Sequence, residues 1–287
     1  MANQLEVHPQ VNYVEGKVIT VTGAGGGFGS LICRMCAALG ASIVAADVNE
    51  TAIEELVSEI NAAGGQAVSQ FADVTDRASM AAMVEMAVER FGHLDVIVNN
   101  AGVMPLAFYS DHAIAADAWD RCIDINLKGV LNGITASYDQ MIEQGRGHVI
   151  NISSIYGNFP NAGAAVYSAT KAAVNVLSEA LRVESQGKIK VTIIKPTGVP
   201  ATNLGASVVN GEAIIGILGH RLGDFGEHIM QSLTGTLPAE LSDPNSIKYW
   251  SIVPEQIAEA VVHVINQPWG VSISDITVRA SGEEYLL

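Results

Sequence analysis

Residues 150–171 read INISSIYGNFPNAGAAVYSATK. Two adjacent serines, Ser153 and Ser154, precede a tyrosine, Tyr167, and four residues after it comes a lysine, Lys171. A phenol with the ordinary pKa of ~10 is a poor base near neutrality. An ammonium group one helical turn away stabilises the phenolate and lowers that pKa. The i, i+4 spacing places Tyr167 and Lys171 on one helix face. Such a pair can take a proton from an alcohol oxygen or return one to a carbonyl oxygen. A second group must hydrogen-bond that oxygen as charge develops, and both Ser153 and Ser154 are candidates. From 147 to 170 there is no Asp, Glu, Lys or Arg. A carboxylate there would raise the tyrosine's pKa and compete for the lysine.

Other chemistry is less well supported. Tyr13 and Lys17 repeat the Y-x-x-x-K spacing, but they precede the first strand, enclose a glycine and have no upstream serine. Tyr156 lies nearer the serines, yet Pro160 stands where its lysine would be, so Tyr156 is expected to line a substrate pocket. The seven histidines form no H-E-x-x-H and no close pair, so no metal is expected. Ser154 sits in I-S-S-I rather than in the G-x-S-x-G of a serine hydrolase. Cys33 and Cys36 form a C-x-x-C on an apolar helical pattern. Without two further ligands it is not a zinc site, and small buried thiols are the expectation.

A second motif is TGAGGGFG at 22–29, which follows the apolar run KVITVT and opens a helical pattern. Gly23, Gly27 and Gly29 let a pyrophosphate approach the main chain, where a helix N-terminus offers its N–H groups. Phe28 lies within the same turn. Asp47 closes the next apolar run, and a carboxylate there binds adenosine ribose hydroxyls and repels a 2′-phosphate. With no Lys or Arg in the glycine turn or just after Asp47, NAD is expected over NADP.

These motifs sit in a regular alternation. Strands are read at 17–22, 41–47, within 66–76 (a strand and then a turn), 94–102, 148–153, 190–195 and 271–278. Helices are read to Leu39 and over 49–63, 77–91, 115–143, 164–185 and 254–266, the fourth irregular near Asn126 and Gly129. Strand–helix alternation implies a doubly wound parallel sheet, so the fold class is α/β. An N-terminal arm (1–16) precedes one domain (17–287). The long connection 197–250 is too apolar for disorder, with Ile214, Ile215, Ile217, Leu218, Leu222 and Phe225. It is expected to form an enlarged lid of one or two short helices.

The chain has 287 residues, 15 Lys and Arg against 30 Asp and Glu, and a net charge of −15. So acidic a surface repels phosphate backbones, and no nucleic-acid partner is expected. No basic amphipathic segment suits an anionic membrane. Without a signal-peptide pattern at the N-terminus, the cytoplasm is the expected location. Only 16% of residues are charged, against the usual share of about 25%, which is consistent with surface buried between subunits.

Taken in order, TGAGGGFG, Asp73 in ADVTD, NNAG at 99–102, Asn126 in IDINLKGV, Ser154 and YSATK resemble the short-chain dehydrogenase/reductases over about 17–279. The resemblance implies a Rossmann-like fold with a seven-stranded parallel sheet and, most often, a homotetramer or homodimer packed through the long helices around Asn126 and Tyr167. It implies that Asp73 and Val74 contact adenine and that Asn100, Ala101 and Gly102 line the cofactor. Of the two serines it selects Ser154, thirteen residues before Tyr167. It gives Lys171 the nicotinamide ribose and Asn126 a water that links Lys171 to solvent. One motif departs from the family. After the sixth strand the chain reads KPTGVPATNL, so Pro196 and Val199 match the cofactor-binding pattern, Thr197 replaces a glycine, and Thr202 falls one place late. The expected function is NAD-dependent hydride transfer between nicotinamide and a secondary alcohol or ketone. Val103, Met104, Ile155 and Tyr156 would form a hydrophobic pocket for a cyclic or aromatic substrate. The alternatives are an NADP(H)-dependent ketoreductase and a non-catalytic dinucleotide-binding regulator.

Overall fold

The computed structural model describes residues 11–200 and 202–285, with Asn203 described by its backbone alone. Most of the expected N-terminal arm (residues 1–10) therefore lies outside the described residues. Strands β1 (Val18–Thr22), β2 (Ser42–Asp47), β3 (Gln66–Phe71), β4 (Val96–Asn99), β5 (Gly147–Ile152), β6 (Ile189–Pro196) and β7 (Asp275–Val278) form one sheet in the order β3-β2-β1-β4-β5-β6-β7. Every pairing is parallel. The central strands β1, β4 and β5 are buried along their whole length, as expected of a sheet covered on both faces. The chain order reverses between β1 and β4, and the crevice at that switch point is where ligands bind in such sheets.

Helices α1 (Gly27–Ala38), α2 (Glu50–Ala62) and α10 (Pro254–Ile265) cover one face. Their apolar sides meet Ile19, Val21, Ile43 and Val98 in one core cluster, which also holds Cys33 and Cys36. Burial pushes both thiols up, Cys36 to about 12, so neither is a thiolate. Helices α3 (Arg77–Phe91), α5 (Gly129–Glu143) and α6 (Ala165–Glu184) cover the other face over Val44, Ile97, Val149 and Val191. Helix α4 (His112–Ile123) runs into α5 through one π turn, Asp124–Lys128. The long helix therefore begins three residues earlier than expected and has its irregularity at Asn126. Asn99 Nδ2 donates to Asn151 Oδ1, and Asn151 Nδ2 donates to Ser178 Oγ, each at 2.8 Å, in a buried polar chain linking β4, β5 and α6.

Two expectations need correction. The last strand begins at Asp275 rather than at 271, because Val271 closes a turn on Pro268 by N–H to carbonyl at 2.9 Å. The segment after β6 holds more than two short helices. Helices α7 (Ile215–Leu218), α8 (Leu222–Thr234) and α9 (Ala239–Ser242) are joined by tight turns. Ala213, Ile217, Leu218, Phe225 and Trp250 from this region join Leu106, Ile155, Tyr156 and Tyr167 in a third core cluster. Ser207 Oγ accepts from Met104 N at 2.7 Å and Asn210 Nδ2 donates to Asp111, which tie the segment to the loop after β4.

Candidate active site

The glycine turn lies between β1 and α1, at the carboxyl edge of the sheet. A Cβ on Gly29 would stand 2.2 Å from the Gly23 carbonyl, so the turn closes only with glycine there. Asn100 Nδ2 donates to Thr22 O and Gly23 O, while Thr22 Oγ1 accepts from Asn100 N and Ala101 N. NNAG therefore holds the turn from the side. Thr22 was visible in the motif, but its part in this bracing was not. Helix α1 starts at Gly26 with no side-chain cap and no acid in its first turn. Its first N–H groups take no side-chain cap, and its positive dipole end suits a pyrophosphate. Phe28, at the start of this helix, packs against the first core cluster.

Asp47 Oδ2 accepts from Gly25 N and Oδ1 from Asn49 N, each at 2.9 Å. Asn49, not Asp47, caps α2 through its bond from Ala52 N. Asp47 is thus set beside the glycine turn with lone pairs left for further donors. Asp73 uses Oδ1 on the Thr75 amide and hydroxyl, and Val74 is buried against Gly129.

At the carboxyl end of β5, Ser153 donates to Asn175 Oδ1 and Lys171 O, which fastens the strand to α6. Ser154 caps the turn Ile155–Gly157 by accepting from Tyr156 N at 3.2 Å. Tyr167, Lys171 and Ser154 are all buried. Burial pushes the Tyr167 phenol up to about 12, against a downward pull from the Ser154 hydroxyl. Burial also lowers the Lys171 ammonium to about 8. The expectation that Lys171 lowers the Tyr167 pKa does not hold in the free protein. The ammonium lies 5.8 Å from the ring centroid and donates to Ile152 O at 2.8 Å instead. Here desolvation sets the direction of the shift.

Asn126 has direct protein partners. It is fully buried, and its amide is engaged at both ends with Val103, accepting from N at 2.9 Å and donating to O at 2.8 Å. Cys122 Sγ and Thr170 Oγ1 lie within 3.4 Å of the same nitrogen. The side chain therefore holds the loop after β4. Gly102 brings the two regions together. A Cβ on it would stand 3.3 Å from Asn126 Oδ1 and 3.7 Å from Lys171 Nζ.

Val103, Met104, Ile155 and Tyr156 gather in the third core cluster with Tyr167. Pro196 ends β6 opposite Val278, and Val199 packs against the first core cluster. Thr202 Oγ1 donates to Val199 O, within its own turn. Thr197 is buried, and its hydroxyl lies against Val278 O and the Glu283 carboxylate. The contribution of Glu283 and Tyr285 to this region had no signal in the sequence. Among the described residues no three His, Cys, Asp or Glu group as metal ligands, and no helix is long and apolar enough to cross a membrane.

The chain is similar to an uncharacterized oxidoreductase of Listeria innocua, at 35% identity over 92% of this chain and 96% of the relative. Among solved structures it is similar to a 7α-hydroxysteroid dehydrogenase complexed with NADH and 7-oxo glycochenodeoxycholic acid. That match has a TM-score of 0.76 and 25% identity, and covers 95% of this chain and 97% of the other. A metagenomic short-chain oxidoreductase in complex with NADP matches with a TM-score of 0.69 and 28% identity, covering 93% and 98%. A sequence model of the short chain dehydrogenases matches residues 17–213. The buried Ser154, Tyr167 and Lys171, the braced glycine turn and these similarities agree, and the chain belongs to the short-chain dehydrogenase family.

Proposed function

We propose that the chain is an NAD-dependent oxidoreductase that interconverts a secondary alcohol and its ketone, with a hydrophobic, cyclic substrate. The observation that carries this reading is the burial of Ser154, Tyr167 and Lys171 together, with Gly102 bringing Lys171 beside the loop after β4. A pure binding module has no use for that set. The uncapped start of α1 would hold the pyrophosphate, Asp47 the adenosine ribose, and Asp73, Val74 and residues 100–102 the adenine side and the walls. Pro196 and Val199 would lie along the nicotinamide. When bound, the nicotinamide accepts or supplies the hydride.

The protein's own part is proton transfer and orientation. Tyr167, protonated at neutral pH, donates its proton to the carbonyl oxygen in reduction, and in its ionised form accepts the alcohol proton in oxidation. Ser154 hydrogen-bonds the same oxygen. Lys171 spends one hydrogen on Ile152 O, which leaves two for ribose hydroxyls. Asn126 is a positioning residue that acts through Val103. NADH-bound and NADP-bound neighbours both exist, so the preference for NAD rests on Asp47 and on the absence of a nearby cation. The steroid ligand of the similar dehydrogenase and the apolar cluster around Tyr167 support a cyclic substrate. A cytoplasmic dimer or tetramer is proposed, joined through α5 and α6, where Leu131, Val176 and Val183 are exposed.

The deciding experiment follows NADH absorbance with purified protein, NAD or NADP, and a panel of secondary alcohols. Turnover with NAD at least tenfold above NADP is expected. Better use of NADP would overturn the cofactor reading, and inactivity with every cyclic alcohol would overturn the substrate reading.

A further inference from the structure

Beyond β7 the chain folds back toward Tyr167. Arg279 pairs with Glu283 at 2.7 Å, and Glu283 also accepts the Thr197 hydroxyl. Arg221 Nη1 donates to the Glu283 carbonyl at 3.3 Å, and Glu284 pairs with His228 on α8. Both carboxylates are buried, at 7% and 6% exposure. Two glutamates in one buried segment are unusual unless each is paired. Here one is tied to the turn after β6 and the other to the lid, and the residue that follows them is Tyr285. Its ring meets Tyr156 edge-on at 6.5 Å and Phe225 at 5.7 Å. A Cβ on Gly198 would stand 1.8 Å from that ring, so the backbone makes room for Tyr285 at the position next to the family departure, Thr197.

Tyr156 shares this cluster with Tyr285 and the catalytic tyrosine. Its ring is buried, and its hydroxyl is buried without a hydrogen-bond partner among the described residues. Burial, then the nearby Tyr285 phenol and Glu283 carboxylate, push its ionisation up, so it stays a neutral donor. A buried donor without a partner costs about 1–3 kcal/mol. Glu283, Tyr285 and Tyr167 lie close enough to influence it, and the rest of its cluster is apolar, with Leu106, Ile155, Phe225 and Trp250. A ligand oxygen would remove the penalty.

We propose that the Tyr156 hydroxyl binds a second oxygen on the substrate, and that Tyr285 is the wall that sets where that oxygen can lie. The preferred substrates are then cyclic ketones or secondary alcohols that carry a further hydroxyl or carbonyl group. This rests on the oxidoreductase reading above. Ser154 and Tyr167 serve the reacting oxygen, and Tyr156 serves the other.

The test compares cyclohexanone with 3- and 4-hydroxycyclohexanone, by kcat/KM with NADH and by equilibrium binding to the enzyme–NADH complex through nucleotide fluorescence. The wild type should prefer one hydroxyketone over cyclohexanone by tenfold or more in both readouts. Tyr156→Phe should bring that ratio to within threefold of one, with NADH affinity retained. Tyr285→Leu should keep the preference for a second oxygen but draw the 3- and 4-isomers together. A wild type with no preference, or Tyr156→Phe with the ratio intact, overturns the proposal. So does Tyr156→Phe that weakens NADH binding tenfold, since the hydroxyl would then belong to the cofactor. Failure of the oxidoreductase reading looks different: no ketone is reduced. In that case the binding ratio alone decides, and absence of binding by all three ketones overturns the proposal.

Discussion

The two sides of the cleft are built from different material. On the cofactor side the contacts belong to the main chain. Glycines close on each other's carbonyls, Asn100 and Thr22 bond to backbone atoms, and the start of α1 is left open. On the substrate side the contacts belong to side chains. Aromatic rings and buried charges arrive from 106–111, 155–167, 207–250 and 279–285. A surface made of backbone has one shape and suits one invariant ligand fragment. A surface made of side chains can change residue by residue under the same fold, which is where substrate choice resides.

Four measurements would break or sharpen this contrast. The largest effect belongs to the group that serves both sides. Tyr167→Phe should lower kcat by 10³-fold or more, within the range expected for general acid–base catalysis and loss of orientation, roughly 10²–10⁴, with NADH affinity unchanged. In the wild type, alcohol oxidation should quicken as pH rises, because burial holds the phenol near 12 and oxidation needs it ionised. Ketone reduction, which needs it protonated, should not.

Next comes the backbone itself. Gly29→Ala places a Cβ 2.2 Å from the Gly23 carbonyl, so NADH affinity should fall at least a hundredfold by titration. Gly226→Ala in α8 meets open space and should instead stabilise by about 0.5–1 kcal/mol in chemical denaturation, the usual gain over helical glycine. Equal tolerance at both positions would dissolve the contrast.

Third, Lys171 folds with its pKa near 8, below the ordinary 10.5. The unfolded chain therefore binds more protons between those values, and stability from this group rises with pH across that window. Lys171→Met should raise the stability of the cofactor-free protein at pH 7 by up to about 3 kcal/mol. That advantage should fade as pH climbs from 8 to 10.5, while turnover is lost throughout. Denaturation midpoints at several pH values measure it. A gain that grew with pH would reverse the sign of the argument. Fourth and smallest, Asp47→Ala should narrow the NAD over NADP preference about tenfold, since the carboxylate repels the 2′-phosphate.

The same contrast explains what could be read from the sequence. Local devices were legible. The helix 77–91 matches at both ends, because Asp76 caps it and Gly92 ends it in the left-handed region at φ 87°. The glycine turn, the Y-x-x-x-K pair and the irregularity at Asn126 are likewise encoded within a few residues. What depended on distant neighbours was not. The Asn126 amide turns to Val103, the Lys171 ammonium turns to Ile152, and Tyr285 reaches Tyr156 from the other end of the sequence. Thr197 looked like a lost glycine, but its hydroxyl and the glycine beside it accommodate the returning chain. No period or spacing announces such contacts.

The buried chain from Asn99 through Asn151 to Ser178 has a consequence for errors of assembly. Asn99 and Asn151 face each other in the β4–β5 register. A parallel sheet of mostly Val and Ile tolerates many alignments, since one branched residue replaces another at little loss. Sliding β5 by one residue would turn Asn151 to the opposite face and cost the buried Asn99 and Asn151 amides these bonds, at about 1–3 kcal/mol each, while Ser178 keeps its bond to Val174 O. The network thus works as a checksum. It adds little to the correct alignment and penalises the neighbouring ones, so the strand that leads to Ser154 arrives with that serine at the right height.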